Sequence, residues 1–407
     1  MNSPATHGHE YLILEAASAS HADQFNEGLT GIRALAALMV LFHHIFALAG
    51  PRVLSFSIGD TQFTYHWLLT CSWMGANVFF VLSGFLLAIP FVRYLEGKGG
   101  RVNVGAYLLR RIKRVVPAYW LQIAILSLVL YSVSALPGWQ VIAAHFVFLQ
   151  DLRQDYMSAI NGVYWTLPVE FGYYLVLPLF AAIAGRSFAR KRAAWLMLSV
   201  ALIAAAVAWR TLMYAIVADA PQPTKFFVLL QFPGLIDHFA IGMLLSWVYV
   251  CHARSFSPAM SDALVILGLS GIVGMMALVD HYYVDYWNGH VMLFLGYTIT
   301  ATFIGALVLG TALAGRLSRA LFANAPMLFI GIISYSLYLW HIPIIRWTMT
   351  LLDRFGVTGD RLWWLVALCI PASVLVATIS YYCVERPFMA RKPADRSRPI
   401  AALRQSG

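Results

Sequence analysis

The sequence predicts an all-α protein, a polytopic membrane helix bundle of about ten transmembrane helices with both termini cytoplasmic. Three observations lead there. Hydrophobic residues make up 60% of the 407 and charged residues only 11%, against roughly 25% charged in soluble domains. A membrane crossing needs about 20 apolar residues at about 1.5 Å rise each, and such stretches recur along nearly the whole chain. Lys and Arg, finally, fall unevenly between alternate connections.

The apolar stretches run over about 29–49, 67–92, 115–136, 163–185, 193–218, 226–252, 263–281, 291–314, 327–350 and 361–383. Tyr and Trp crowd several of their ends, as at Tyr119 and Trp120, Tyr164 and Trp165, and Trp363 and Trp364, which suits anchoring at the membrane–water interface. Little room is left for a separate soluble domain. The expected organisation is a flexible cytoplasmic tail at 1–28, a transmembrane domain at 29–388 and a basic cytoplasmic tail at 389–407. The first 28 residues carry Glu10, Glu15, Asp23 and Glu27 but no Lys or Arg, unlike a signal peptide. With the N-terminus inside, 20 Lys and Arg fall on inner segments, 5 on outer ones and 3 within spans. That asymmetry sets both termini in the cytoplasm of a multi-pass inner (plasma) membrane protein. The net charge of +10 therefore signals inner-face anchoring. No basic–aromatic groove for nucleic acid accompanies it. Cys71, Cys251, Cys369 and Cys383 have no metal-ligand spacing and read as packing residues.

Burying a charge in hydrocarbon costs at least about 2.5–3.5 kcal/mol, so ionisable residues inside spans are functional candidates. They are Arg33, His43, His44, Glu170, Arg210, Asp237, His238, His341 and Arg346. In the first span Arg33 and His44 stand 11 residues apart. That spacing returns to within about 20° of one helix face, about 16 Å along the axis, and swings His43 off that face by about 80°. In the second span, SWMGANVFFVLSGFLLAIPF, the small residues Gly75, Ser83 and Gly84 permit close helix approach or access for a ligand chain. The fourth holds Glu170 one to two turns in, after Pro168, which is expected to bend the helix. The sixth carries Asp237 and His238 near its middle, and the ninth carries His341 followed by Pro343. A carboxylate beside a histidine raises imidazole basicity and holds its tautomer, as a general base requires. The plainer reading of Glu170 or Asp237 is an ion pair with Arg210 or Arg346 that ties helices together.

Between the second and third spans stand seven basic residues: Arg93, Lys98, Arg101, Arg110, Arg111, Lys113 and Arg114. Any inner loop carries some, but Arg111 and Arg114 are one helical turn apart immediately before Pro117 and the membrane. Two guanidiniums on one face suit a diphosphate or a phosphorylated ribose.

Taken in order, LTGIRALAALMVLFHH, VFFVLSGFLL, RRIKRVVPAYW, VYWTLPVEFGYYLVLPL, ISYSLYLWHIPI and YYCVERPFM make the chain resemble the acyltransferase-3 family. These are integral membrane O-acyltransferases found mostly in bacteria. The resemblance puts the family's first-span arginine and its proposed catalytic histidine on Arg33 and His44. The Arg-x-x-Arg signature associated with acyl-CoA falls on Arg111 and Arg114, and the Trp-x-Leu-x-x-Glu segment on Trp165, Leu167 and Glu170. Two positions depart from the common pattern: Thr30 stands where Asp is usual, and Phe171 where a second Glu is frequent. Many relatives carry a fused hydrolase-like extracytoplasmic domain. This sequence runs only 24 residues past Cys383 and is expected to be the membrane domain alone.

The resemblance implies transfer of an acyl group, most simply acetyl, from acyl-CoA to a hydroxyl of a glycan, glycolipid or natural product. His44 is the expected base, with Glu170 or Asp237 steadying its charged form. Arg33, Ser83, Arg111, Arg114, Trp165 and His341 are the expected substrate-binding residues. Acyl-CoA would enter from the cytoplasm as a co-substrate, with no permanent cofactor and no metal. The other expected partners are a hydroxyl-bearing acceptor and the lipid bilayer, with no nucleic acid and self-association left open. The alternative is a proton-coupled transporter or exporter of a polar metabolite, since buried His, Asp, Glu and Arg also build proton relays. It predicts broken helices in matching halves, and the sequence has no clear internal repeat.

Overall fold

The computed structural model describes residues 5–389 apart from 51, 133–134 and 187–190, with side chains from Glu27 onward. Among the described residues, ten helices are long and apolar enough to cross a membrane. They are α1 (Ala5–Ala49), α2 (Gly75–Leu95), α3 (Val104–Ser132), α4 (Thr166–Gly185) and α5 (Lys191–Val217), followed by α6 (Phe232–His252), α7 (Pro258–His281), α8 (Val291–Ala312), α9 (Ala325–Arg354) and α10 (Leu362–Ser380). In α1 the membrane-length part is Glu27–Ala49. Each overlaps one of the ten apolar stretches. Apart from Glu27, Gly28 and Met389, the expected tails lie outside the described side chains.

The centre of the bundle is α2, α6 and α9. In the apolar window of α9, 72% of residues are buried, against 11% in α5 and 28% in α10, so the last two form part of the lipid-facing rim. Packing is closest between α2 and α6, α1 and α9, α5 and α6, α7 and α8, and α9 and α10. Two glycines make the α2–α6 contact. A Cβ on Gly84 would stand 2.4 Å from the Phe239 carbonyl, and one on Gly242 would stand 2.4 Å from the Val81 carbonyl. Only a hydrogen in place of a side chain lets these backbones meet. A second apolar cluster joins α1, α9 and α10 through Leu41, Ile45, Ile333, Leu337, Leu365 and Cys369.

Connections carry more structure than the sequence suggested. Between α1 and α2 lies a small antiparallel hairpin, β1 (Ser55–Ile58) and β2 (Thr61–Thr64). Its two-residue turn uses Gly59 at φ 58°, the left-handed conformation that hairpin turns need. Most of the expected basic loop after α2 is instead the start of α3: Arg110, Arg111, Lys113 and Arg114 are helical. The α3–α4 connection contains the short helix Trp139–Phe146 and buries His145, Gln150 and Asn161. Pro168 does not bend α4. The helix starts at Thr166, so Pro168 sits in the first turn, where its missing N–H costs no helical bond. Past α10 the chain forms a π-turn, Tyr381–Glu385. One extra residue in that turn shifts the face of the helix and drives Glu385 inward, to 1% exposure.

Candidate active site

Five of the expected site residues line one cavity of about 110 Å³: Arg33 from α1, Ser83 from α2, Arg111 and Arg114 from α3, and Glu170 from α4. The 100° step of the α-helix explains the convergence of Arg111 and Arg114, three residues apart on α3. Both also line, with Arg33, Arg110 and Lys113, a second and more open cavity at the end of the bundle. The inner chamber and this basic vestibule thus share three guanidiniums.

These guanidiniums are not equivalent. Arg114 Nη1 is 2.9 Å from Glu385 Oε2, and its guanidinium stands 6.0 Å from the Tyr335 ring centre. Glu385 also accepts a hydrogen bond from Ser336. Arg111, by contrast, forms no ion pair within 4.0 Å among the described residues, and its Nε is buried without a hydrogen-bond partner there. Its charge faces the cavity unneutralised. An anion that arrives finds Arg111 open and Arg114 already shared. Opposite them Glu170 Oε1 accepts the Ser83 hydroxyl at 2.6 Å.

His44 lines a different cavity, beyond Ala76 and Tyr338, which border both. Its walls include Trp73, Trp165, Phe226, Tyr286, Trp287 and Tyr297, and it has no Asp, Glu, Lys or Arg in its lining. His43 lines it too, despite the angular offset; its Nδ1 donates to the Thr70 carbonyl at 2.8 Å. The group set against His44 is another histidine, not the expected carboxylate. His341 Nε2 is 3.2 Å from His44 Nδ1.

Backbone carbonyls fix the protons of this pair, because a carbonyl can only accept. His44 Nδ1 bonds the Val40 carbonyl at 2.9 Å, and His341 Nδ1 bonds the Leu337 carbonyl at 3.1 Å. Each Nδ1 therefore carries the hydrogen. In the neutral pair, His341 Nε2 is then an acceptor and His44 Nδ1–H is shared between it and Val40. His44 Nε2 is left with a lone pair, the form a general base requires.

Asp237 belongs to neither chamber. Its Oδ2 accepts from Arg210 Nη2 at 2.9 Å and from the Thr298 hydroxyl at 2.5 Å. Its Oδ1 accepts from the backbone N–H of His238 at 3.0 Å and from His238 Nδ1 at 2.7 Å. Arg210 also donates to the carbonyls of Phe294 and Gly234, at 2.9 and 2.5 Å, and from Nη2 to the Thr298 hydroxyl at 2.7 Å. The side chains of Arg210, Asp237 and His238 are 0% exposed. The cluster ties α5, α6 and α8 together. It backs the His44 chamber through Tyr297, whose ring centre is 5.7 Å from the Arg210 guanidinium. Arg346, the other candidate partner, is exposed.

A scan for charged residues inside spans could not find Gln122, Asn161 or Tyr164. Gln122 Nε2 and Asn161 Nδ2 both donate to the Leu339 carbonyl, at 2.7 and 3.0 Å, and the Tyr164 hydroxyl donates to Gln122 Oε1 at 2.7 Å. The available signal was a glutamine standing inside an apolar run. Glu385 was equally hidden, as an acid in a basic C-terminal stretch.

The fold and site define a class: a ten-helix integral membrane protein with a basic chamber and a histidine-bearing chamber meeting inside it. A family model described as an acyltransferase domain matches residues 26–382. The chain belongs to that family, acyltransferase-3. It is 24% identical over 401 residues to the peptidoglycan O-acetyltransferase OatA of Listeria monocytogenes, a match covering 90% of this chain and 56% of that protein. It is 22% identical over 418 residues to the O-acetyltransferase OatA of Staphylococcus aureus, covering 94% of this chain and 62% of the other. The chain thus spans little more than half the length of these relatives. No solved structure matches it.

Proposed function

We propose that this protein transfers an acyl group, most simply acetyl, from acyl-CoA to a hydroxyl of an acceptor held in the aromatic chamber. One observation carries the reading: a chamber with an unneutralised guanidinium, Arg111, meets at Ala76 and Tyr338 a chamber that holds His44. The phosphates of coenzyme A suit Arg111, Arg33 and the vestibule cations, and Arg114 where Glu385 yields it. The thioester arm would run from Arg33 toward His44, a separation of about 16 Å along α1. His44 Nε2 takes the proton of the acceptor hydroxyl as its oxygen bonds to the thioester carbonyl carbon. The carbon–sulfur bond then breaks, and the thiolate leaves with the proton returned from the imidazolium. His341 Nε2 accepts from His44 Nδ1–H and stabilises that imidazolium. Glu170, bonded to Ser83, is assigned to orienting the donor among the arginines. Asp237 supports the chamber wall.

The acceptor side follows from the lining. Aromatic rings without fixed charge suit the faces of an uncharged, hydroxyl-bearing ring, as in a glycan, a glycolipid or a natural product. The peptidoglycan named for the Listeria relative is one such glycan. Ten crossings would return both ends to one side, and the excess of Lys and Arg on alternate connections supports the cytoplasm as that side. We accordingly assign the protein to the bacterial inner membrane, with acyl-CoA entering from within. Purified protein in vesicles, given labelled acetyl-CoA and extracted glycans or small acceptors, is expected to leave label covalently on an acceptor. Uptake or release of an unmodified metabolite, with no labelled acceptor from any extract, would replace this reading with a transporter.

A further inference from the structure

Proline at 343 has no N–H, so the carbonyl four residues earlier, that of Leu339, loses its helical donor. A bare carbonyl in a membrane interior costs several kcal/mol. Two side chains from outside α9 meet it, Gln122 of α3 and Asn161 of the α3–α4 connection. They are 0% and 1% exposed, and neither lines a chamber. Each is held in turn: Gln122 Oε1 by the Tyr164 hydroxyl at 2.7 Å, and Asn161 Oδ1 by the Val163 N–H at 3.4 Å.

The location gives the capped carbonyl its meaning. Leu339 lies between Tyr338, which separates the chambers, and His341, which bonds His44. Tyr338 is tied to the same connection, since its hydroxyl donates to the Val163 carbonyl at 2.9 Å. A straight helix would need no such anchors, and a buried amide without a partner is costly. We propose that Gln122 and Asn161 are positioning residues that cap the Leu339 carbonyl and so fix the turn of α9 that sets His341 against His44. The inference rests on His44 being the base.

The test uses the full chain and takes Tyr164→Phe as its reference, so that no hydroxyl is stranded when the amide is removed. Gln122→Met on that reference should lower kcat about 10- to 100-fold, since small misplacements far from the chemistry have such effects, and leave KM for acetyl-CoA nearly unchanged. In a Pro343→Ala background the restored N–H can take the Leu339 carbonyl, and the same Gln122→Met change should then cost little. The second readout needs no acyl transfer. Carbethoxylation of His44 by diethylpyrocarbonate, followed by mass spectrometry, should slow severalfold in Gln122→Met, because Nε2 loses the electron donation relayed from His341. Asn161→Ala, which leaves Gln122 in place, should move both readouts the same way by less. A lowered Tm with unchanged kcat and unchanged His44 modification would overturn the proposal, as would equal losses with and without Pro343. If the wild type transfers no acyl group yet His44 modification still responds as described, positioning stands and the reaction assigned above falls.

Discussion

Asp237 and Glu170 are both acids within membrane-length helices, and their surroundings differ. Asp237 is sealed: Arg210, Thr298 and His238 occupy both its oxygens, and none of these four side chains lines a chamber. Glu170 is open: it accepts the Ser83 hydroxyl and faces a cavity with three arginines. Sequence treats them alike, as costly intramembrane carboxylates. What separates them is spare bonding capacity. A saturated acid can only hold helices together, whereas an acid with a free lone pair beside an open cavity can meet a ligand.

The sharpest break between sealed and open regions is expected at the histidine. His44→Ala should cut acetyl transfer by about 10²- to 10⁴-fold, the usual worth of a general base, with the melting temperature of the purified protein unchanged. His43→Ala should retain measurable transfer; a dead His43 variant beside an active His44 variant would move the base by one residue. For the sealed region, Asp237→Asn should destabilise by about 3–5 kcal/mol, because it leaves the Arg210 charge buried and uncompensated. Activity should fall only as the folded fraction falls. A stable but inactive Asp237 variant would mean that the cluster takes part in the chemistry.

Glu170→Gln should do the reverse, lowering turnover about tenfold by misorienting the donor at an unchanged melting temperature, with a smaller effect on acyl-CoA affinity. Equal turnover would make the open acid dispensable. The smallest effects belong to the vestibule. Arg111→Ala should weaken coenzyme A binding, and more than Arg114→Ala, whose side chain already serves Glu385. Titrations at rising salt should show both losses shrinking, since the Debye length is about 8 Å at physiological ionic strength. Lys at position 111 should restore binding only in part, because an ammonium lacks the two-pronged geometry. Equal affinity in wild type and in the double Ala variant would reduce the cluster to an orientation signal.

Much of the fold is written locally. Ten apolar runs of membrane length are what a bilayer demands, so their number and order could be read without knowing any contact. The shared face of Arg111 and Arg114 follows from a 100° step. What could not be read depended on which helices meet. His44 and His341 were both candidates, but only the packing of α1 on α9 makes them partners. Whether Asp237 pairs with Arg210 or Arg346 needed α5 and α6 side by side. Pro168 looked like a kink because the start of α4 at Thr166 leaves no strong cap signal; its N-cap Trp165 makes no side-chain capping bond. Glu385 turns inward only because of an extra residue in the π-turn. Gln122 escaped a search weighted by charge, since an amide costs less to bury than an ion.

The wall that Ala76 and Tyr338 share has a kinetic meaning. The basic vestibule lies at the α2–α3 end of the bundle, and the aromatic chamber reaches Tyr283 and Trp287 of the α7–α8 connection, which helix alternation puts at the opposite end. On the proposed reading, a donor and an acceptor would enter by separate doors and need not wait for each other's products to clear. Reciprocal plots of initial velocity against one substrate, at several fixed levels of the other, should therefore intersect, the pattern of a ternary complex; parallel lines would mean that the acyl group rests on the protein before the acceptor arrives.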